Sequence, residues 1–487
     1  MNSTSSCPGP VLESPEEVLS TMNKDGKRLW VYPTPSKGTL WKWRLAVAWA
    51  LIAFFVALPL VKIQGKPAIF LDLLHREFTF FGLTLYATDT TLLMVFLLLV
   101  LVSVFLATAL LGRVWCGWGC PQTVYLEFVF RPIERFFEGK ENARKRRDAG
   151  PWTPDRVVRK GLKLAVYLLL SFGLAHTFVA YFVSWEVLQD WMQRSPTEHW
   201  GFFVMMAMTT GLIFGNFGYF REQMCTIACP YARFQSVLMD RDSLIVSYDP
   251  GRGEPRKRRS GEERAQEKAS VKLALGDCVD CGACVRTCPT GIDIRNGLQM
   301  ECVGCTQCID ACDAIMISVN KPKGLIRYTS ENVIEKKPAR IIRTRVLLYA
   351  AIMVSLTTIF AILITSRTPI DINLGRVVGE PFAVLQDGEV INRLRFRVQN
   401  RTNEELHLSV VALEPAGTEV KLSGPAIMHI AAGATHRVEA FVVVPPTAFT
   451  NGSSAALFEI MAANKPALSS TVAFTLLGPS TPKESKP

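Results

Sequence analysis

The sequence predicts a multi-domain chain: a five-helix α-helical membrane region, a cysteine-rich α+β segment inserted before the fifth helix, and a C-terminal all-β sandwich. Three observations predict it. Five long runs are apolar, twelve of thirteen cysteines fall in four tight groups, and period-two alternation appears in the last hundred or so residues. The totals agree, since 487 residues suit about three domains, and 49% hydrophobic residues would be unusual without membrane spans.

The apolar runs are residues 45–61, 90–111, 162–183, 201–220 and 346–365. Each approaches the roughly 20 residues needed to cross a hydrocarbon core. No basic segment leads directly into an apolar core at the N-terminus, so no cleavable signal is expected and the first run stays as an anchor. Lysine and arginine bias sets the orientation. The loop 112–161 holds eleven basic residues, whereas 185–200 holds only Arg194. The expected layout is a cytoplasmic tail (1–43), a four-helix membrane region (44–220), a cytoplasmic segment (221–270), the cysteine-rich domain (271–320), a linker (321–345), the fifth span (346–366), a periplasmic β domain (370–478) and a disordered tail (479–487). The outer side is the periplasm if the cell is Gram-negative, and the expected membrane is then the bacterial inner membrane. The +11 net charge is accounted for by these inner loops and runs such as 256–259, so no nucleic-acid partner is expected.

In the C-terminal part, Leu394, Phe396 and Val398 alternate with Arg393, Arg395 and Arg397. The pattern recurs at Leu406, Leu408 and Val410, and at Val438, Ala440, Val442 and Val444. Such stretches between turn signals read as half-buried antiparallel strands. Roughly seven of them suit an immunoglobulin-like sandwich, here without cysteine.

Cys278, Cys281, Cys284 and Cys288-Pro289 are followed by Cys302, Cys305, Cys308 and Cys312. This is the dicluster ferredoxin-like spacing for two [4Fe–4S] clusters, with the last cysteine of each run crossing to the other cluster. One cluster would take Cys278, Cys281, Cys284 and Cys312, the other Cys288, Cys302, Cys305 and Cys308. Gly282, Ala283 and Gly304 allow close backbone approach. Zinc on two CxxC pairs is the alternative, but it has no use for the remaining cysteines. Asp313, not proline, follows Cys312.

Cys116-x3-Cys120-Pro121 and Cys225-x3-Cys229-Pro230 form an internal repeat, each just past an apolar run. On a helix, residues four apart share a face, and each proline marks a bend. Four thiolates together would suit Cu(I) or a redox-active disulfide. Packing of small residues at helix ends, or a further cluster, are the other readings. Cys7 stands alone in the tail and is read as incidental. Of six histidines only His176 lies in an apolar run, so a bis-histidine membrane haem is not expected. His75, His199, His407, His429 and His436 read as surface or internally satisfied. No GxGxxG or P-loop suggests a nucleotide site.

The stretches 108–124 (TALLGRVWCGWGCPQTV), 221–249 (REQMCTIACPYARFQSVLMDRDSLIVSYD) and 276–313 (GDCVDCGACVRTCPTGIDIRNGLQMECVGCTQCIDACD) resemble cytochrome c oxidase accessory proteins of the CcoG/FixG/RdxA type. The likeness extends to the early LWVYP segment and the strand-rich C-terminus. It implies reduction of Cu(II) to Cu(I) for assembly of a cbb-type oxidase. Cys116, Cys120, Cys225 and Cys229 would then hold or relay to copper, as the catalytic positions of a cupric reductase. Oxidase assembly factors or a copper chaperone would be partners, with an unidentified electron donor. A quinol-oxidising respiratory subunit and a redox-sensing or structural assembly role are the competing classes.

Overall fold

The computed structural model describes residues 20–22, 27–73, 76–86, 89–256, 276–402 and 404–479. Cys7, His75, residues 257–259 of the basic run, residues 271–275 and residues 480–487 lie outside the described residues. The chain divides into two compact units. One comprises Met1–Lys62, Pro67–Asp72 and Val95–Thr357; the other comprises Ile63–Lys66, Leu73–Met94 and Thr358–Pro487.

Among the described residues, five helices are long and apolar enough to cross a membrane: Thr39–Ala57, Thr90–Leu111, Pro154–Val183, Trp200–Phe220 and Thr344–Thr365. The first begins at Thr39, six residues before the apolar run, because Lys42 and Arg44 interrupt the apolar pattern without interrupting the helix. Arg44 is not a solvated flanking charge; it is 1% exposed. The third spans 30 residues, about 45 Å, and so exceeds a roughly 30 Å hydrocarbon core. Its early start has a local cause: the Thr153 hydroxyl accepts a hydrogen bond from the Arg156 N–H at 3.3 Å, with Pro154 and Asp155 in the first turn. His176 is satisfied within this helix, its Nδ1 2.8 Å from the Phe172 carbonyl.

The basic loop after the second span is folded, with helices at Arg131–Glu138 and Glu141–Ala149. Phe130 stacks on Phe217 (centroids 4.3 Å apart, planes 10° apart) and meets Tyr167 edge-on. Beside this aromatic core, Arg131, Glu134, Arg144, Arg221 and Glu222 are all buried. Arg221 grips both Glu134 carboxylate oxygens at 2.9 Å, and Arg144 approaches Glu134 at 2.7 Å.

The cysteine-rich lobe is bracketed by an antiparallel pair, Ile245–Tyr248 with Ile326–Thr329. The helices Ala283–Thr287 and Gln307–Ser318 lie between them and carry Cys284, Cys308 and Cys312, with Cys288 as the C-cap of the first. The second helix runs through Cys312, because Asp313 permits what a proline there would break. The lobe is tied to the first span in an unusual way. That helix has Gly38 at its N-cap and no side-chain cap of its own. Asp310 supplies one, accepting from Leu40 N–H (3.2 Å) and Trp41 N–H (2.7 Å).

In the second unit, nine strands within 370–477 form two sheets rather than roughly seven strands. One has the order Glu419–Leu422, Thr435–Val444, Val390–Asn400, Ile370–Arg376, with Ala383–Val384 beside Val390–Asn400; the other has Met428–Ile430, Leu406–Glu414, Ser453–Ala462, Ser469–Leu477. The extra strands are two to four residues long, too short to show alternation. Leu394, Phe396 and Val398 of one sheet are fully buried with Leu406, Leu408 and Phe458 of the other. Phe396 and Phe458 meet edge-to-face at 5.6 Å. The intervening Arg393 and Arg395 point outward onto Glu439, as the period of two requires.

Candidate iron–sulfur site and its thiol neighbours

The two cysteine runs fold alike. In the first, Asp280 (φ +49°) and Gly282 (φ +64°) flank Cys281 in left-handed conformation. In the second, Gly304 (φ +66°) and Thr306 (φ +64°) flank Cys305. Each run thus sets a left-handed residue on either side of its second cysteine, the kind of turn from which backbone N–H groups build an anion-binding concavity. For Asp280 and Thr306 that geometry costs about 1–2 kcal/mol each. The recurrence identifies the turn as functional.

Two separate cavities result. One is lined by Cys278, Cys281, Cys284 and Cys312 with Tyr248 and Met316. The other is lined by Cys288, Cys302, Cys305 and Cys308, with Cys284, Ile292 and Ile294. The sulfurs are not drawn to single-ion spacing. A tetrahedral zinc with bonds of about 2.3 Å would bring them within about 3.8 Å of one another. Among the described residues, no three cysteines have sulfurs within 4.8 Å; Glu405, His407 and His429 form the group that does meet that limit. The donor set fits a cluster rather than one ion. Burial pushes the thiols of Cys302 and Cys305 up to about 11, and that of Cys312 to about 12. Ligation would therefore have to drive proton release. A buried cation waits beside the second set: among the described residues neither Nη of Arg44 has a hydrogen-bond partner, and its charge acts on Cys305. An anionic cluster would meet it.

The Cys-x3-Cys-Pro repeat is also structural, with one correction. The pairs do not lie along continuous helices. Cys120 (φ −67°, ψ 126°) and Cys229 (φ −73°, ψ 112°) are extended, each directly before a proline-led helix, Pro121–Tyr125 and Pro230–Leu238. Both make the same backbone bond, Cys120 N–H to Trp115 and Cys229 N–H to Met224, each 2.8 Å. The two copies converge. The Cys116 thiol is pushed up to about 12 by burial first, then by Cys120, and further by Cys229 and Cys302. The Cys225 thiol rises to about 12 through burial and then Cys120, Cys116 and Cys229. Thiols held this high are poor nucleophiles for disulfide exchange, and all twelve described cysteines are free.

This quartet adjoins the second cavity. Arg113 donates to the carbonyls of Met300, Cys302 (3.1 Å) and Ala232 (2.8 Å). It thereby joins both repeats to the cluster run. Gly117 and Gly304 touch backbone to backbone: a Cβ on Gly117 would lie 2.6 Å from the Gly304 carbonyl oxygen. Trp118 donates to the Tyr328 hydroxyl (3.2 Å), which donates to Gly304 O (2.9 Å). Arg44 Nε donates to Gly117 O at 3.0 Å. Sequence reasoning passed over Arg44, Arg113 and Tyr328. GRVWCGWGC carries Arg113 three residues before Cys116, but nothing in that spacing names Cys302 as its target.

Three family models match: a 4Fe-4S dicluster domain over 220–331, a 4Fe-4S binding domain over 93–142, and an IG-like fold at the C-terminus of FixG over 360–479. Protein RdxA of Cereibacter sphaeroides is 34% identical over 83% of this chain and 86% of its own. Nitrogen fixation protein FixG of Rhizobium meliloti is 30% identical over 82% of each chain. Protein RdxB of C. sphaeroides is 30% identical over 85% of this chain and 87% of its own. With two cysteine-lined cavities, five membrane-length helices and these relatives along most of its length, the chain belongs to the FixG/RdxA family of membrane iron–sulfur electron-transfer proteins.

Proposed function

We propose that the chain passes single electrons from the dicluster lobe to the Cys116/Cys120/Cys225/Cys229 quartet and there reduces Cu(II) to Cu(I) for assembly of a cbb-type cytochrome c oxidase. Cys278, Cys281, Cys284 and Cys312 hold one [4Fe–4S] cluster, and Cys288, Cys302, Cys305 and Cys308 the other. Two cavities support this assignment: Cys278, Cys281, Cys284 and Cys312 line one, and Cys288, Cys302, Cys305 and Cys308 line the other, with Cys284 on the wall of both. Bound there, the clusters supply one-electron storage. The single observation carrying the proposal is the junction of the quartet with the second cysteine set through Arg113, Gly117–Gly304 and Tyr328. Arg113 and Arg44 offset negative charge as an electron arrives. The buried thiols lose protons on binding a soft cation, which favours the cuprous product. Each Cu(II) reduced consumes one electron, delivered by a donor protein or quinol.

The lobe faces the cytoplasm and the sandwich the periplasm in this reading. Besides the basic bias, Asp89, just before the second span, pairs with Arg367, just after the fifth (2.6 Å), and with Arg401 (2.9 Å). The two span ends that an odd number of crossings puts outside thus meet. A quinol-oxidising role is favoured by a different observation: an apolar cleft beside Cys116, lined by Val47, Leu111, Trp115, Trp118 and Tyr231. One preparation separates the readings. Anaerobically purified, pre-reduced protein is mixed with Cu(II) and a Cu(I)-trapping dye, and separately assayed with quinol. Copper turnover lost in the quadruple Cys→Ser quartet variant supports the proposal. Unchanged copper turnover removes the quartet from it, and turnover with quinol alone supports the second reading.

A further inference from the structure

We propose that Glu405, His407 and His429 form a surface site for a late first-row divalent cation, with Cu(II) bound most tightly. The site goes beyond the electron-transfer reading and does not depend on it. Strands Leu406–Glu414 and Met428–Ile430 pair antiparallel with His407 directly opposite His429. Their neighbours Leu406, Leu408, Met428 and Ile430 are buried in the sandwich core, so alternation turns both imidazoles to the outer face. Glu405, two residues before His407, shares that face.

The ligating atoms converge. Glu405 Oε1 lies 3.8 Å from His407 Nε2 and 3.6 Å from His429 Nδ1, and the imidazole centroids are 4.3 Å apart. Bonds of about 2.0–2.1 Å to a common ion place ligand atoms about 3 to 4 Å apart. The arrangement therefore needs little movement to close on one. Its backbone is already fixed. Asn464 Oδ1 accepts from His407 N–H (3.1 Å), Asn464 Nδ2 donates to the Glu405 carbonyl (2.9 Å), and Ala463 N–H donates to the His407 carbonyl (2.7 Å). The nearby Lys465 ammonium is engaged by Glu404 at 2.5 Å. All three ligand side chains are 40% or more exposed, leaving coordination positions open to water or an exchange partner. Two imidazoles and a carboxylate suit Cu(II), Ni(II) or Zn(II), and the Irving–Williams order ranks Cu(II) first.

The test is paramagnetic resonance of full-length, oxidised, cluster-loaded protein, carrying no polyhistidine tag, titrated with one equivalent of Cu(II). Expected is a saturable axial Cu(II) signal with hyperfine coupling to two imidazole nitrogens, lost in H407A/H429A and retained in H436A. N464A, which loosens the positioning residue, should weaken binding about tenfold or more. Cluster absorbance and Cu(II) reduction serve as separate readouts, so loss of reduction with the signal intact refutes only the electron-transfer reading. A Cu(II) signal unchanged in H407A/H429A, or one without nitrogen coupling, overturns the site.

Discussion

The cysteine lobe of the first unit and the sandwich of the second have cores of different chemistry. The sandwich interior is mainly hydrocarbon, from Ile370 to Leu476, and its buried Asn392 and Asn400 side chains are hydrogen-bonded to backbone. The core of the cysteine lobe contains Cys278 and Cys284 among Val246, Ile292, Ile294 and Met316, with Cys288, Cys302, Cys308 and Cys312 packed against it. Buried arginines border it: Arg113 donates to the Cys302 carbonyl, Arg131 donates to the Pro289 carbonyl, and the charge of Arg44 acts on Cys305. A hydrocarbon core folds on its own hydrophobic gain. A core of buried thiols and cations lacks part of what stabilises it until a metal cluster arrives. The lobe and the sandwich should therefore respond to opposite perturbations.

Substituting Cys308, whose thiol burial raises far above the ordinary range, gives the sharpest contrast. Cys308→Ser should roughly halve the bound iron and release protection of 276–331 in hydrogen exchange, with the sandwich amides unchanged. If both units lose protection together, the cores are not independent. Glu134→Gln comes next, leaving Arg221 and Arg144 buried without the carboxylate they share. Breaking such a pair costs about 3–5 kcal/mol, seen as lower thermal stability of the membrane unit. Burial alone would raise the Glu134 carboxyl; Arg221, Arg144 and Lys163 instead hold it below the ordinary range. Its contribution is thus present above about pH 4.3 and lost as pH falls through the lower folded value. Phe458→Ala is the reverse experiment. It should cost the sandwich about 3–5 kcal/mol and leave iron content untouched.

Gly117→Ala is a finer probe. The added methyl would collide with the Gly304 carbonyl, at about 1–3 kcal/mol, and part the quartet from the second cysteine set. Cu(II) reduction should slow while iron content holds. Asp310→Ala should have the smallest effect, about 1 kcal/mol through the lost cap on the first span, read as faster exchange at Leu40 and Trp41.

Much of this was legible in the sequence because it is local. Thr90–Leu111 was read to the residue, and the strands around Phe396 and Val442 declared themselves by alternation. The Thr153-Pro154-Asp155 start of the third span was also present in the sequence, but the apolar criterion passed over it. The rest is tertiary. Whether Arg44 is a solvated flank or a cation beside Cys305 depends on which way one helix face turns. That Asp310 caps a helix some 270 residues earlier, or that His407 meets His429, follows from pairings that no spacing encodes. The left-handed turns at Asp280 and Thr306 were missed because only glycine advertises that conformation.

The most direct test of the central claim is iron and acid-labile sulfide content, with resonance spectra, on oxygen-protected full-length protein. The account predicts roughly eight of each on the dicluster cysteines and, on reduction, two interacting paramagnetic centres that Cys308→Ser reduces to one. A folded, membrane-inserted preparation carrying zinc, or no iron at all, would contradict it.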